Sequence, residues 1–97
     1  EAFAMQVNYH AIACGRVQGV GFRYYVLRAA NALGLDGWVR NRDDGSVELV
    51  VQGEEEQVQQ LLQTVRQGTL WIQVDSLQTT RQQLDESLTR QKFSVQY

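Results

Sequence analysis

The chain has no proline, a single cysteine, a single histidine and a single methionine. No hydrophobic run approaches the roughly 20 residues needed to span a bilayer, so no membrane partner is expected. One cysteine, Cys14, excludes an internal disulfide and fits a reducing compartment. Cys14 sits in an apolar stretch and reads as a small buried hydrophobe rather than a nucleophile. With only His10 beside it, no cluster has metal-ligand spacing, so no metal site is expected. His10 itself reads as a solvated strand residue. The lack of proline is unusual for a chain with this many turns and has no physical explanation in the sequence.

Acidic charge is missing from the first third. Between Ala2 and Leu35 there is no aspartate or glutamate, but Arg16, Arg23 and Arg28 lie there, and Arg40 and Arg42 follow closely. The acids gather later, notably at Glu54, Glu55 and Glu56. Net charge is −2, which argues against a general nucleic-acid binder, whose footprint is basic. A local excess of cation in an acidic chain suits a small anion better than a polyanion. Ninety-seven residues, 43% hydrophobic and 21% charged, have the composition of an ordinary globular domain. One domain is expected over residues 5–97. Glu1 to Ala4 precede Met5, are as readily an added remnant as native sequence, and stay outside the fold argument. The start shows neither the charged stretch nor the apolar stretch of a signal peptide, so a cytoplasmic location is expected.

Hydrophobic period divides the chain into elements. Val7 to Cys14 alternates as a strand with Val7, Tyr9, Ala11 and Ala13 on one face. Gly15 to Gly21 holds three glycines and reads as a tight loop. Phe22, Tyr25, Val26, Ala29, Ala30 and Leu33 follow helical spacing, with Gly34 suited to the C-terminal cap. Gly37 to Asn41 is a second strand. Asp43-Asp44-Gly45-Ser46 is a hairpin turn, and Val47 to Gln52 is a third strand. Glu54 to Gln67 is a second helix with the stripe Val58, Leu61, Leu62 and Val65 and acids in its first turn; Gly68 ends it. Leu70 to Leu77 is expected as a fourth strand, with Trp71 in a core or edge-packing role. The polar stretch Thr79 to Gln91 reads as a connection in which Leu84 and Leu88 allow a short helix. Phe93, Val95 and Tyr97 alternate as a closing strand. The expected fold is α+β: a ferredoxin-like β-α-β-β-α-β sandwich, an antiparallel sheet with two helices on one face.

The segment Gly15-Arg16-Val17-Gln18-Gly19-Val20-Gly21-Phe22-Arg23 runs from a strand through glycines into a helix. The first N–H groups of a helix lack intrahelical partners, and its dipole adds partial positive charge there. Glycines ahead of it let successive N–H groups converge into an anion nest suited to phosphate. Arg23 opposes that dipole at a cost of about 0.3–1 kcal/mol and falls off the apolar stripe. A guanidinium in that position can grip two phosphate oxygens. Nucleotide motifs fail on spacing. Counting a Walker loop from Gly15 puts Val20 at the second glycine, and a dinucleotide fingerprint from Gly19 and Gly21 meets Tyr24 at the third. The nest is therefore expected to hold one phosphate group. Asn41 ends Gly37-Trp38-Val39-Arg40-Asn41 just before the turn. It reads either as an Asx-type turn residue or as a group that orients water, since its amide both accepts and donates but is no general base.

Together the two segments resemble the acylphosphatase family. Gly15 to Arg23 is similar to its first signature, Gly37 to Asn41 with Asp44-Gly45-Ser46-Val47-Glu48 to its second, and Phe93-Ser94-Val95-Gln96-Tyr97 to its usual ending. The resemblance implies hydrolysis of small acyl phosphates to a carboxylate and inorganic phosphate, without metal or organic cofactor. It implies that Arg23 binds the phosphate with loop amides from Arg16, Val17, Gln18, Gly19, Val20, Gly21 and Phe22, and that Asn41 positions the attacking water. A monomer with a small-molecule substrate and no nucleic-acid partner is expected. Gln67-Gly68-Thr69-Leu70-Trp71 and Thr79 to Gln91 depart from the family pattern.

Other readings are an anion-binding or regulatory module on the same fold, the front end of a larger protein handling carbamoyl phosphate, and a sheet-surface RNA binder. The last wants exposed aromatics on central strands. Ser46 to Gln52 has none and carries Glu48.

Overall fold

The computed structural model describes residues 5–97, so the reading of residues 1–4 lies outside it. Five strands and two helices follow in the order β1 (Gln6–Arg16), α1 (Phe22–Ala32), β2 (Asp36–Asn41), β3 (Val47–Glu54), α2 (Glu55–Gln67), β4 (Gln73–Gln82) and β5 (Ser94–Gln96), with a 3-10 turn at Glu86–Leu88. The strands form one sheet in the order β4-β1-β3-β2-β5. The pairs β1–β3, β1–β4 and β2–β3 are antiparallel. β5 instead runs parallel to β2, with Val39 opposite Val95. The sheet is thus mixed rather than wholly antiparallel, because the chain leaves β4 on one edge and returns on the other in the direction of β2.

The core lies between the helices and the sheet. Ala11 and Ala13 of β1, Val39 of β2 and Val47, Leu49 and Val51 of β3 meet Phe22, Val26 and Ala30 of α1 and Val58, Leu61, Leu62 and Val65 of α2 in one buried cluster. Each larger side chain contributes about 1.5–3 kcal/mol on burial. α1 ends in a Schellman motif: the Leu35 N–H donates to the Ala30 carbonyl at 3.0 Å and the Gly34 N–H to that of Asn31 at 3.1 Å. The Tyr25 hydroxyl reaches the carbonyls of Thr64 (3.0 Å) and Gly68 (3.2 Å), tying α1 to the end of α2.

The fourth strand begins later than its apolar residues suggest. Leu70 and Trp71 are exposed in the loop before it, and Ile72 alone of the three is buried. Trp71 therefore has no core role. β4 runs on through Gln82, into the polar stretch expected as a connection. It is an edge strand whose pairing with β1 supplies the order, so its polar side chains carry no apolar alternation. The short helix allowed around Leu84 and Leu88 is the 3-10 turn.

That polar connection is fixed by a buried amide chain. Asn8 and Gln52, both buried, bond to each other at 2.9 Å. The Gln82 amide donates to Asn8 Oδ1 at 2.9 Å. Gln52 donates to the Asp85 carbonyl at 3.0 Å and accepts from the Asp85 N–H at 2.7 Å. Satisfied networks of this kind specify one arrangement. They also cover Gln52, so that this end of β3 is buried on both faces.

Two side chains of the helix-free face differ from expectation. Cys14 is exposed, because it shares the β1 face of Asn8, His10 and Ile12, and the helices cover the other. His10 is not simply solvated: its Nε2 lies 2.6 Å from Glu48 Oε2, and Arg40 Nε donates to Glu48 Oε1 at 2.8 Å. Partial burial would raise the Glu48 pKa, but the bonds from His10 and Arg40 outweigh it and hold the carboxyl below its usual range.

The approach to the glycine loop depends on a β-bulge between Cys14 and Gly15. Gly15 has φ of 130°, and a Cβ there would lie 2.3 Å from the Gln73 carbonyl oxygen. A Gly15→Ala substitution is expected to cost at least about 2 kcal/mol from backbone strain alone. Thermal unfolding should show a midpoint lower by roughly 10 °C; an unchanged midpoint would mean that the bulge yields freely.

Candidate active site

β1 delivers the chain to the loop over residues 17–21, and α1 receives it at Phe22. The loop is a series of bends rather than a hydrogen-bonded turn. Among the described residues, no N–H group from Val17 to Gly21 donates to a backbone carbonyl. Gly21 caps α1 in the left-handed region, with φ of 80°, and makes no side-chain cap. The first turn of α1 carries no acid, so nothing within the helix competes with an outside anion there. Val17 and Phe22 are buried and anchor the loop at both ends.

A cavity of about 590 Å³ opens beside this loop. Val17, Gly19, Gly21, Phe22 and Arg23 line one side, and Asn41 lines it from the end of β2. The two polar residues singled out from sequence, Arg23 and Asn41, therefore share one hollow although 18 positions separate them in the sequence. Arg16, Gln18 and Val20, from the same expected phosphate-binding set, do not line it. Arg16 is exposed and continues the β1 ladder opposite Gln73, and Val20 packs against the core.

Gln18 has a different place. Its side-chain amide donates to the carbonyls of Arg42 and Ser46, at 2.8 Å each. Those carbonyls bracket the β2–β3 turn, where the Arg42 N–H also donates to Ser46 and the Gly45 N–H to Arg42. One side chain thus joins the glycine loop to the hairpin that begins at Asn41. The sequence carries only a faint signal for this: a long amide between two small residues, with no way to see which carbonyls it reaches.

Asn41 stands at the last position of β2, exposed and opposite Val47. The turn does not use it. Asp44 accepts from the Ser46 N–H at 3.0 Å and from the Ser46 hydroxyl, so Asp44 is the Asx-type turn residue. Those bonds hold the Asp44 carboxyl below its ordinary pKa. Asn41 makes no side-chain hydrogen bond among the described residues, which leaves its amide free toward the cavity it lines.

The Arg23 guanidinium lies over the Tyr97 ring, 5.1 Å from its centroid. Such a contact contributes about 0.5–1 kcal/mol and restrains a long side chain without occupying its donors in the ring plane. Arg23 forms no ion pair among the described residues. Tyr24, Leu27, Asn31, Phe93, Ser94, Val95 and Tyr97 complete the lining. Alternation makes 93, 95 and 97 legible as a strand. Their place on this cavity follows from the parallel pairing with β2, which no local pattern reveals.

Comparison with known proteins identifies the family and the fold. A sequence model of the acylphosphatase family matches residues 9–95. The acylphosphatase of Bacillus pumilus is 48% identical over 89 residues, covering 92% of this chain and 97% of that protein. That of Moorella thermoacetica is 56% identical over 68 residues, covering 70% and 73%. Among solved structures, the acylphosphatase of Bacillus subtilis superposes with a TM-score of 0.87 at 40% identity, over 94% of this chain and 99% of that one. One from Coxiella burnetii gives 0.85 at 31% identity, over 94% and 93%. By sequence and by fold, the chain belongs to the acylphosphatase family, whose members hydrolyse acyl phosphates.

Proposed function

We propose that this chain hydrolyses small acyl phosphates by direct attack of water on phosphorus, with Arg23 and the loop amides from Val17 to Phe22 holding the phosphate and Asn41 orienting the water; Arg16, paired in the β1 ladder, takes no part in this scheme. The observation that carries this reading is the shared hollow. An unpaired guanidinium, unpartnered N–H groups at a helix start and an unbonded asparagine amide all border it. A phosphate bridging the helix start and Arg23 brings its phosphorus within reach of a water held by Asn41.

The chemistry suits this set of groups. As water attacks in line, the bond from phosphorus to the acyl oxygen breaks and charge grows on the equatorial oxygens. Fixed N–H groups and Arg23 stabilise that charge more in the transition state than in the ground state. The departing carboxylate is a weak base, so no general acid is required. Asn41 can accept from the water and donate to it, but it cannot take its proton. A phosphate oxygen of the substrate accepts that proton in this scheme, giving inorganic phosphate and a carboxylate. The mechanism calls for no metal and no organic cofactor. The Gln18 side chain does not touch substrate in this scheme; it is a positioning group that holds the hairpin of Asn41 against the loop. The whole process fits a monomeric cytoplasmic enzyme acting on a small metabolite.

Benzoyl phosphate hydrolysis in the presence of a chelator is the assay. Arg23→Gln is expected to lower kcat/KM by about 10²–10³-fold and to weaken competition by inorganic phosphate. Asn41→Ala should lower kcat on the order of 10²-fold while inorganic phosphate still competes as in the unaltered protein. Full activity in folded Asn41→Ala would remove the water-orienting role, and loss of turnover on chelation would overturn the metal-free route.

A second substitution tests Gln18. Gln18→Met keeps the length and removes both donors, while Arg42 and Ser46 keep their backbone partners. Stability should fall by about 1–2 kcal/mol and kcat by more than KM rises. In an Asn41→Ala background the same change should cost less than about threefold, since the two act as one unit. Equal losses in both backgrounds would show that Gln18 supports the fold alone.

A further inference from the structure

The cavity that borders Arg23 is larger than a phosphate group requires. Its volume of about 590 Å³ is that of a site for a small organic molecule. Beyond the glycine loop it is walled by Tyr24 and Leu27 of α1 and by Phe93, Val95 and Tyr97 along β5. Tyr24 and Leu27 stand one helical turn apart on α1, so they present one strip. Phe93, Val95 and Tyr97 alternate along an extended segment, so they share a face. Arg23 borders the trough between these two strips at Tyr97, its guanidinium 5.1 Å from that ring's centroid.

Its charge is as informative as its polarity. Among the described residues, Arg23 is the one charged side chain lining it, and the phosphate uses that charge. Asn31 and Ser94 are the only polar side chains described beyond the loop and Asn41, apart from the tyrosine hydroxyls. Arg28 stacks on the Tyr24 ring at 5.7 Å but does not line the trough. The other direction out of Asn41 is a shallower depression of about 380 Å³ bordered by Arg40, Arg42, Asp43 and Asp44. There Arg40 is committed to Glu48, and two carboxylates balance the two arginines. It shares only Asn41 with the trough, and it has neither Arg23 nor the loop on its wall.

The geometry points to an acyl-group subsite in the Tyr24–Leu27 and Phe93–Tyr97 trough, which selects acyl phosphates with an uncharged apolar or aromatic tail over those carrying a second anionic group. This inference rests on the acyl phosphate reading above. An apolar tail seated there gains burial against Leu27 and the β5 strip. A second carboxylate or phosphoryl group in the same place loses hydration and meets no cation. The phosphate end supplies affinity common to all substrates, and the trough supplies the difference between them.

The test compares benzoyl phosphate with 4-carboxybenzoyl phosphate, which share the ring and the scissile bond and differ by one distal charge. The unaltered protein should favour benzoyl phosphate by roughly tenfold in kcat/KM. Asn31→Lys adds a cation at an exposed position one turn beyond Leu27 on the same α1 strip, near the helix C-terminus where lysine is well tolerated. It should narrow that preference by about fivefold or more, through a lower KM for the carboxylated substrate. Leu27→Ala should raise KM for benzoyl phosphate by about threefold with inorganic phosphate competing as before. Equal use of the two substrates by the unaltered protein would overturn the subsite while leaving the enzyme reading intact. A preference that Asn31→Lys leaves unmoved, in a protein melting normally, would place the selection elsewhere and equally overturn it. Hydrolysis of neither substrate would sink the enzyme reading itself.

Discussion

Two hydrogen bonds from a single side-chain amide hold the halves of this molecule in working relation. The glycine loop belongs to the β1–α1 unit, and Asn41 belongs to the β2–β3 hairpin. The sheet brings the two units together through the β1–β3 ladder, but a ladder sets strands, not loop tips. The Gln18 amide reaches across and takes the carbonyls on either side of the hairpin turn. In the mechanism proposed above, a displacement of about 1 Å between the loop and Asn41 is enough to cost on the order of 10²-fold in rate. The placement of the loop against the hairpin is therefore set in part by a contact made outside the cavity.

The placement of Arg23 and Asn41 has a common structural logic. Each sits where regular structure stops, at the first turn of α1 and at the last position of β2. Among the described residues, both lack a protein partner that would compete with a substrate, apart from the Tyr97 ring beside Arg23. Asp44, three residues beyond Asn41, takes over the turn and so frees Asn41 from it. In the proposed mechanism the groups fixed before substrate arrives are the loop amides, held between buried Val17 and Phe22, and fixed donors of this kind stabilise developing charge most effectively.

Much of this architecture is legible in the residues themselves. Phe22, Val26 and Ala30, and Val58, Leu61, Leu62 and Val65, declare their helices by spacing, because a one-sided apolar stripe has few other uses. Arg23 declares itself by violating the dipole preference just after three glycines. Where side chains reach across the fold, the sequence is silent. β4 reads as a loop from Thr79 onward because an edge strand paired on one side can be polar on both faces. Cys14 reads as buried because strand alternation shows that two faces exist but not which one the helices cover. Trp71 reads as packed, in the core or along an edge, because its size is visible and its position is not. Gln18 reads as one loop residue among others, since its two carbonyl partners lie 24 and 28 positions away. The parallel return of β5, which supplies one wall of the trough, has no local signature at all.

The central claim is that the unpartnered loop amides and Arg23 form one anion site. Titration of the ¹⁵N-labelled protein with inorganic phosphate, followed by amide and guanidinium chemical shifts, tests it most directly. Saturable shifts should centre on the N–H groups of Val17 to Phe22 and on Arg23 Nε, with the strip on α2 from Glu55 to Gln67 unmoved. Shifts concentrated instead around Arg40 and Arg42, or absent from the loop at saturating phosphate, would contradict the account.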